Sequence, residues 1–172
     1  MLRIHVILLL VTASFSAAAQ TETRSIQFAA NKCSIAIPAV MDTMPADKIL
    51  IKYNKQPDAK SRYYANADYS FSMVMDEIAA EITEDMLEPL KPQLLQQLGK
   101  QNFSENKMIT VSGHKLIVVA YNAAVPGGQL FNRRIFFVAD KKLYSVAFNT
   151  TITDLPKRKG QIESSIHSLR IR

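Results

Sequence analysis

Two runs in the second half of the chain, Leu116-Ile117-Val118-Val119-Ala120-Tyr121 and Ile135-Phe136-Phe137-Val138, are apolar or aromatic at every successive position. Neighbouring side chains of a strand point to opposite faces, so a strand that is apolar throughout must be covered on both. Helices on the two sides of a sheet supply that cover. Arg134 to Ala139 and Leu143 to Asn149 are separated by only Asp140-Lys141-Lys142, a hairpin length. Strand-hairpin-strand order without regular βα alternation implies an antiparallel or mixed sheet. The expected fold is therefore α+β: an α/β/α sandwich with a central, mainly antiparallel sheet of about six or seven strands and helices on both faces.

The remaining elements are placed around that centre. Ile26 to Phe28 and Cys33 to Ile37 read as two short strands around Ala30-Asn31, the second closed by Pro38. Ile49 to Tyr53 reads as a third strand. Tyr63 to Met75 reads as a fourth, with Tyr69, Phe71, Met73 and Met75 alternating on one side. Leu87, Leu90, Leu94, Leu95 and Leu98 fall on one helical face; Thr83 can cap that helix and Gly99 can end it. Pro89 and Pro92 remove amide donors, so the regular helix starts at Pro89 or its first turns bend. Met108 to Val111, the Ser112-Gly113 turn and Lys115 to Tyr121 follow. A last amphipathic helix, capped by Thr153 or Asp154, runs through Pro156, Ile162 and Ile166.

The first nineteen residues read as a leader rather than as part of the fold. Arg3, the apolar stretch Ile4 to Val11 and the small residues Ala17-Ala18-Ala19 give the three-part layout of a secretory signal peptide. The apolar run falls far short of the ~20 residues a membrane-crossing helix needs. Residues 20–172 are expected to form one domain, since about 150 residues bury enough surface for a self-sufficient core. The chain is thus expected in the periplasm or outside the cell. Cys33 is the only cysteine, so no internal disulfide forms, and its place in an alternating segment predicts burial.

The net charge is +6, unevenly spread. Asp76 to Glu88 holds six acids and no base, whereas Arg133 to Arg172 holds nine bases and three acids. A basic half favours anionic partners, and export argues against nucleic acid as that partner. Lys157-Arg158-Lys159 can touch an anionic surface, although alternation with Leu155 and Ile162 also marks the wet side of a core-facing helix. Glu77, Glu81, Glu84, Asp85 and Glu88 fall at helical spacing and read as an acidic helix entrance, because a calcium loop would interleave a turn glycine.

The order of elements, with CSIAIP near the front and FNRRIFFVADKKLYSVAFNTTITDLPKRKGQIESSIHSLRI at the back, resembles the PsbP-like superfamily. Its members include extrinsic subunits of photosystem II, a Ran-binding nuclear transport factor and small exported bacterial proteins. The features carrying the resemblance are the strand ending Ile37-Pro38, the hairpin returning through Lys142-Leu143-Tyr144, and the last helix running into Ser165 to Ile171. Members often carry a Trp shortly after the Ile-Pro; here Val40-Met41 follow, and the chain has no Trp. No metal-ligand or partner-binding set maps onto this chain, so the resemblance implies fold alone.

Little in the sequence points to catalysis. His114 and His167 have no His or Glu partner at ligand spacing, one cysteine allows no zinc motif, and no Gly-x-Ser-x-Gly elbow occurs. No catalytic, metal or cofactor residue is assigned and no cofactor is expected. Asn102-Phe103-Ser104 and Asn149-Thr150-Thr151 match glycosylation acceptors, a match that counts only in a eukaryotic source. The segment Ala124 to Val138 combines Gly127-Gly128 with Arg133-Arg134, but a phosphate loop sits between a strand and a helix, and here strands lie on both sides. Pro126-Gly127-Gly128 reads as the connection between neighbouring strands, the glycines supplying positive φ. Arg133 and Arg134 then point to opposite faces, one tucked under a helix and one near the rim. The expected function is that of an exported, non-catalytic binding or accessory module. Its partner is another exported protein or an anionic surface, met through Arg133, Lys157, Arg158 and Lys159. The alternative is a small hydrolase-like or ligand-processing enzyme, which a cleft joining a histidine, a carboxylate and a serine would favour.

Overall fold

The computed structural model describes residues 22–99, 101–125 and 128–172, without the side chains of residues 79 and 80. The leader expected at residues 1–19 and the glycine at 127 lie outside the described residues. The elements run β1 (Thr23–Phe28), β2 (Cys33–Pro38), β3 (Asp42–Thr43), α1 (Ala46–Tyr53), β4 (Ser61–Ala65), β5 (Phe71–Ala80), α2 (Leu87–Gln97), β6 (Phe103–Val111), β7 (His114–Val125), β8 (Gly128–Ala139), β9 (Lys142–Thr151), α3 (Leu155–His167) and β10 (Arg170–Ile171). Among the described residues the strands form two antiparallel sheets, one of seven strands in the order β3-β4-β5-β9-β8-β7-β6 and one of three in the order β1-β2-β10.

The non-alternating runs behave as their composition requires. Leu116 to Ala120 and Ile135 to Ala139 are all buried. Alternate residues enter different clusters: Leu116, Val118, Ile135 and Phe137 pack with Ile162 and Ile166 of α3 and with Ile35 and Ile37 of β2. Ile117, Val119, Phe136 and Val138 pack with Leu87 and Leu94 of α2. The long hairpins close on tight turns. Asp140 and Lys141, at φ 48° and 56°, link Ala139 to Lys142, and Ser112 and Gly113, at φ 51° and 86°, link Val111 to His114. Paired left-handed residues twist in the sense of the flanking strands, which is why such two-residue turns are favoured.

Three expectations change. The apolar run Ile49 to Tyr53 is helical, inside α1. Pro45 leads in with extended backbone, Asp47 sits in the first turn, and Asn54 closes the helix at φ 51°, so the local helix signals outweigh a short apolar run. Only Ile49 of that helix is buried, against Tyr63 and Val74. The stretch Tyr63 to Met75 is two strands. The Asn66 side chain accepts from the Phe71 amide at 2.9 Å, Asp68 accepts from the Ser70 amide at 3.0 Å, and Tyr69 turns at φ 59°. Those Asx interactions reverse the chain where the alternation of apolar residues reads as continuous. Finally, β1, β2 and β10 form a sheet of their own rather than extending the central one. The leucine-rich helix begins at Leu87, two residues before Pro89, after a 3₁₀ turn at Glu84–Met86, and ends at Gly99 with φ 81°.

Candidate functional site

Arg133 defines the site from the strand register outward. It pairs with Ala120 of β7 and Phe148 of β9, and Ala120 pairs with Glu105 of β6, so the four form one row across the sheet. Ala120 is small, and its short side chain leaves the Arg133 guanidinium room to reach Glu105 at 3.1 Å. Glu163 of α3 meets the same guanidinium from above. Lys107 completes the network at 2.9 Å from Glu105. Arg133 is only 8% exposed, so its charge is answered inside the molecule, as a buried cation requires. This is the arginine under a helix. Its exposure does not suit it to meet a partner directly.

Above that floor lies a cleft of about 560 Å³ between α3 and strands β6 to β8. Its apolar wall comes from Ile109, Phe131, Leu155 and Ile162, and its mouth from Lys107, Lys159 and His167. The α3 residues recur three and four apart, the spacing that puts them on one side of a helix. The volume lies within the ~300–1,000 Å³ usual for ligand pockets.

The basic triplet is divided by the helix. Lys157 is exposed and near Asp154 at 4.0 Å, whereas Lys159 joins the cleft mouth. Arg158 turns inward, its guanidinium 5.2 Å from the centre of the Phe71 ring and hydrogen-bonded to Gln161. The three bases therefore do not form one patch.

The acidic run is likewise not a helical face. Glu77 lies in β5, paired to Lys142 at 3.1 Å. Glu81 adopts φ 59°, and Glu84 meets the His114 ring at 3.0 Å while accepting the Lys115 amide at 2.9 Å. His114 is thus a half-buried partner of Glu84, although the sequence places no acid at ligand spacing from it. It ties the 3₁₀ turn before α2 to the start of β7. Burial raises the Glu84 carboxyl pKa, but the Lys115 amide and His114 outweigh it and hold Glu84 below its ordinary range. Cys33 is 1% exposed, and burial pushes its thiol up to about 11. Asn149 and Thr150 are buried in the sheet, out of reach of a glycosylating enzyme. Among the described residues no three His, Cys, Asp or Glu side chains cluster closely enough to hold a metal ion.

Ser104, His167, Glu105 and Glu163 all line the α3 cleft. Ser104, however, donates to the Ala120 carbonyl at 3.2 Å, and both carboxylates are spent on Arg133. Among the described residues no hydrogen bond joins the His167 ring to the serine or to either acid. Nothing in the sequence singles out Glu105, Lys107 and Glu163, which stand among ordinary polar neighbours such as Ser104, Asn106 and Ser164.

No family model matches this chain, and no curated protein sequence matches it either. Solved structures do. The cyanobacterial PsbP (CyanoP) of Synechocystis sp. PCC 6803 superposes with a TM-score of 0.59 at 9% identity, over 94% of this chain and 99% of its own. The chain has the PsbP-like fold. PA94 of Pseudomonas aeruginosa, described as a putative regulator of unknown function, aligns at 15% identity and TM-score 0.51, over 87% of this chain and 97% of its own. LpqN of Mycobacterium tuberculosis, described as involved in cell envelope biogenesis, aligns at 9% identity and TM-score 0.52, over 87% and 90%. At such identities the PsbP-like likeness is one of backbone path, and the α3 cleft must be argued from this chain's own residues. Among the described residues no helix is long and apolar enough to cross a membrane.

Proposed function

We propose that this chain is an exported, non-catalytic binding module and that the cleft beside α3 holds its partner. The body is layered, with α1 and α2 on one face of the long sheet and α3 with the small sheet on the other. The observation carrying this reading is the ion-locked floor of the cleft: Arg133, Glu105 and Glu163 hold one another in place beneath an apolar wall and a cationic mouth. Such a floor is preorganised, so a partner that fills the cleft does not first have to order it. The wall suits apolar side chains and the two lysines suit neighbouring carboxylates, so the partner segment is apolar with acidic flanks. The leader expected at residues 1–19 puts that partner in the cell envelope or outside it, a setting that LpqN's described role also fits.

The test is capture from a native envelope extract, with the wild-type chain beside Lys107→Glu/Lys159→Glu. Reversing two charges at the mouth should weaken capture of the specific partner about tenfold or more at low salt and reverse its salt dependence. Equal capture by both chains sinks the cleft as the binding site. The shared placement of Ser104, His167 and Glu163 supports a second reading, a hydrolase whose triad assembles only on substrate. Turnover of ester, phosphate or peptide substrates that disappears in His167→Ala would establish it and displace the binding module.

A further inference from the structure

The neighbour of Arg133 stands on the opposite side of the sheet and lacks what Arg133 has. Arg134 pairs with Val119 and Ala147, and Val119 belongs to the cluster under α2. Among the described residues it makes no ion pair and no hydrogen bond, and its Nε is buried without a partner. Its guanidinium is held over the Phe136 ring, 5.9 Å from the centroid. Ser145, directly across from Phe136 on β9, is 1% exposed, and its Oγ also has no partner among the described residues. Two cavities, of about 340 and 260 Å³, meet here and share Lys55, Asp76 and Arg134. Leu94 and Gln97 of α2 wall the first, and Lys52 and Tyr53 of α1 wall the second. A fork of unused donors in a half-enclosed trough, beside a buried hydroxyl with nothing to bond, is a binding arrangement waiting for an acceptor.

We propose that Arg134 and Ser145 form a second site, distinct from the α3 cleft, that binds a small carboxylate ligand between α1 and α2. A planar carboxylate matches the guanidinium fork with two parallel hydrogen bonds, and Ser145 can donate to one of its oxygens. Lys55 and Lys60 add positive charge at the rim. The acids of the trough set the choice of anion. Glu77 is spent on Lys142, and Asp58 accepts the Lys60 amide, but among the described residues Asp76 accepts from the Ser61 hydroxyl alone and forms no ion pair, and it lines both cavities with Arg134. Its charge opposes a dianionic phosphate more than a monoanionic carboxylate.

The test is titration of the full chain with acetate, propionate and inorganic phosphate at constant ionic strength, read by amide chemical shifts. Acetate and propionate should give saturable shifts on β8 and β9 with dissociation constants in roughly the millimolar range. Arg134→Gln and Arg134→Lys should each weaken them about tenfold or more, since both destroy the fork. Ser145→Ala should weaken binding while leaving the free protein as stable or more stable, because it removes a hydroxyl that has no partner. This variant keeps the site testable if Arg134→Gln unfolds. Shifts that do not saturate, that persist in Arg134→Lys and Ser145→Ala, or that are tighter with phosphate than with acetate would overturn the site.

Discussion

Arg133 and Arg134 are adjacent in sequence and opposite in chemistry. Strand alternation alone sends one under α3 and the other between α1 and α2, and this much is legible from their spacing. What each meets there is not. Arg133→Ala leaves Glu163 without its cation and Glu105 with Lys107 alone. The expected cost is about 2–3 kcal/mol by urea unfolding, below that of a fully buried pair because both glutamates keep some water. The Glu84 clamp makes a pH prediction. Its folded pKa lies below the ordinary 4.5, so its contribution is present above that value and lost as the pH falls through the folded one. Glu84→Gln should therefore lower the melting temperature at pH 7 and flatten its decline on the acid side. An unchanged acid profile would show that the His114 and Lys115 contacts do not stabilise the fold.

At the scale of elements, α1 and α2 are both amphipathic, yet they differ in how far they depend on the sheet. Leu87 and Leu94 of α2 are buried against Ile117, Val119 and Phe136, whereas α1 buries only Ile49 and leaves Ile51 75% exposed. Leu94→Ala should cost about 2–4 kcal/mol, and Ile51→Ala within about 0.5 kcal/mol of nothing, both read by denaturant midpoint. A large loss at Ile51 would mean that its exposed face is covered in the working protein. The same contrast explains why α2 is legible from its leucines and α1 is not. Four leucines recurring over eleven residues admit one period, while Ile49-Leu50-Ile51 is too short to distinguish strand from helix. The decisive marks for α1 are at its ends, Pro45 and Asn54.

For the whole molecule, the groups buried in the core tie stability to alkaline pH. Burial pushes Cys33 up to about 11 and Tyr53 to about 12, and burial together with Glu77 pushes Tyr144 to about 12. Each raised acid stabilises fully below its unfolded value and loses that contribution as the pH climbs toward the folded one. Lys52, brought down to about 8 by burial, acts in the opposite sense and gains with rising pH until its ordinary 10.5. The expected profile rises from about pH 8 to 9 with Lys52, is nearly level between about pH 9 and 10 where Cys33 opposes it, and falls above about pH 10 as Tyr53 and Tyr144 join. Cys33→Ala should lift the profile between about pH 9 and 11. A profile identical in Cys33→Ala would show that the thiol does not ionise before unfolding.

By itself the sequence determined the doubly buried strands, the hairpins between them, the terminal helix and the opposite placement of the two arginines. Each of these is written in local periodicity or turn chemistry, which the chain feels before it folds. The tertiary structure alone decided that β10 returns to pair with β2, where Ser168 Oγ, donating locally to the Ser165 carbonyl at 2.6 Å, also accepts the Ala36 amide 132 positions away at 2.8 Å. It also decided that Arg133 closes on Glu105 and Glu163 while Arg134 stays open. Such pairings depend on which distant segments the packed core brings together, and no pattern within a single segment encodes that.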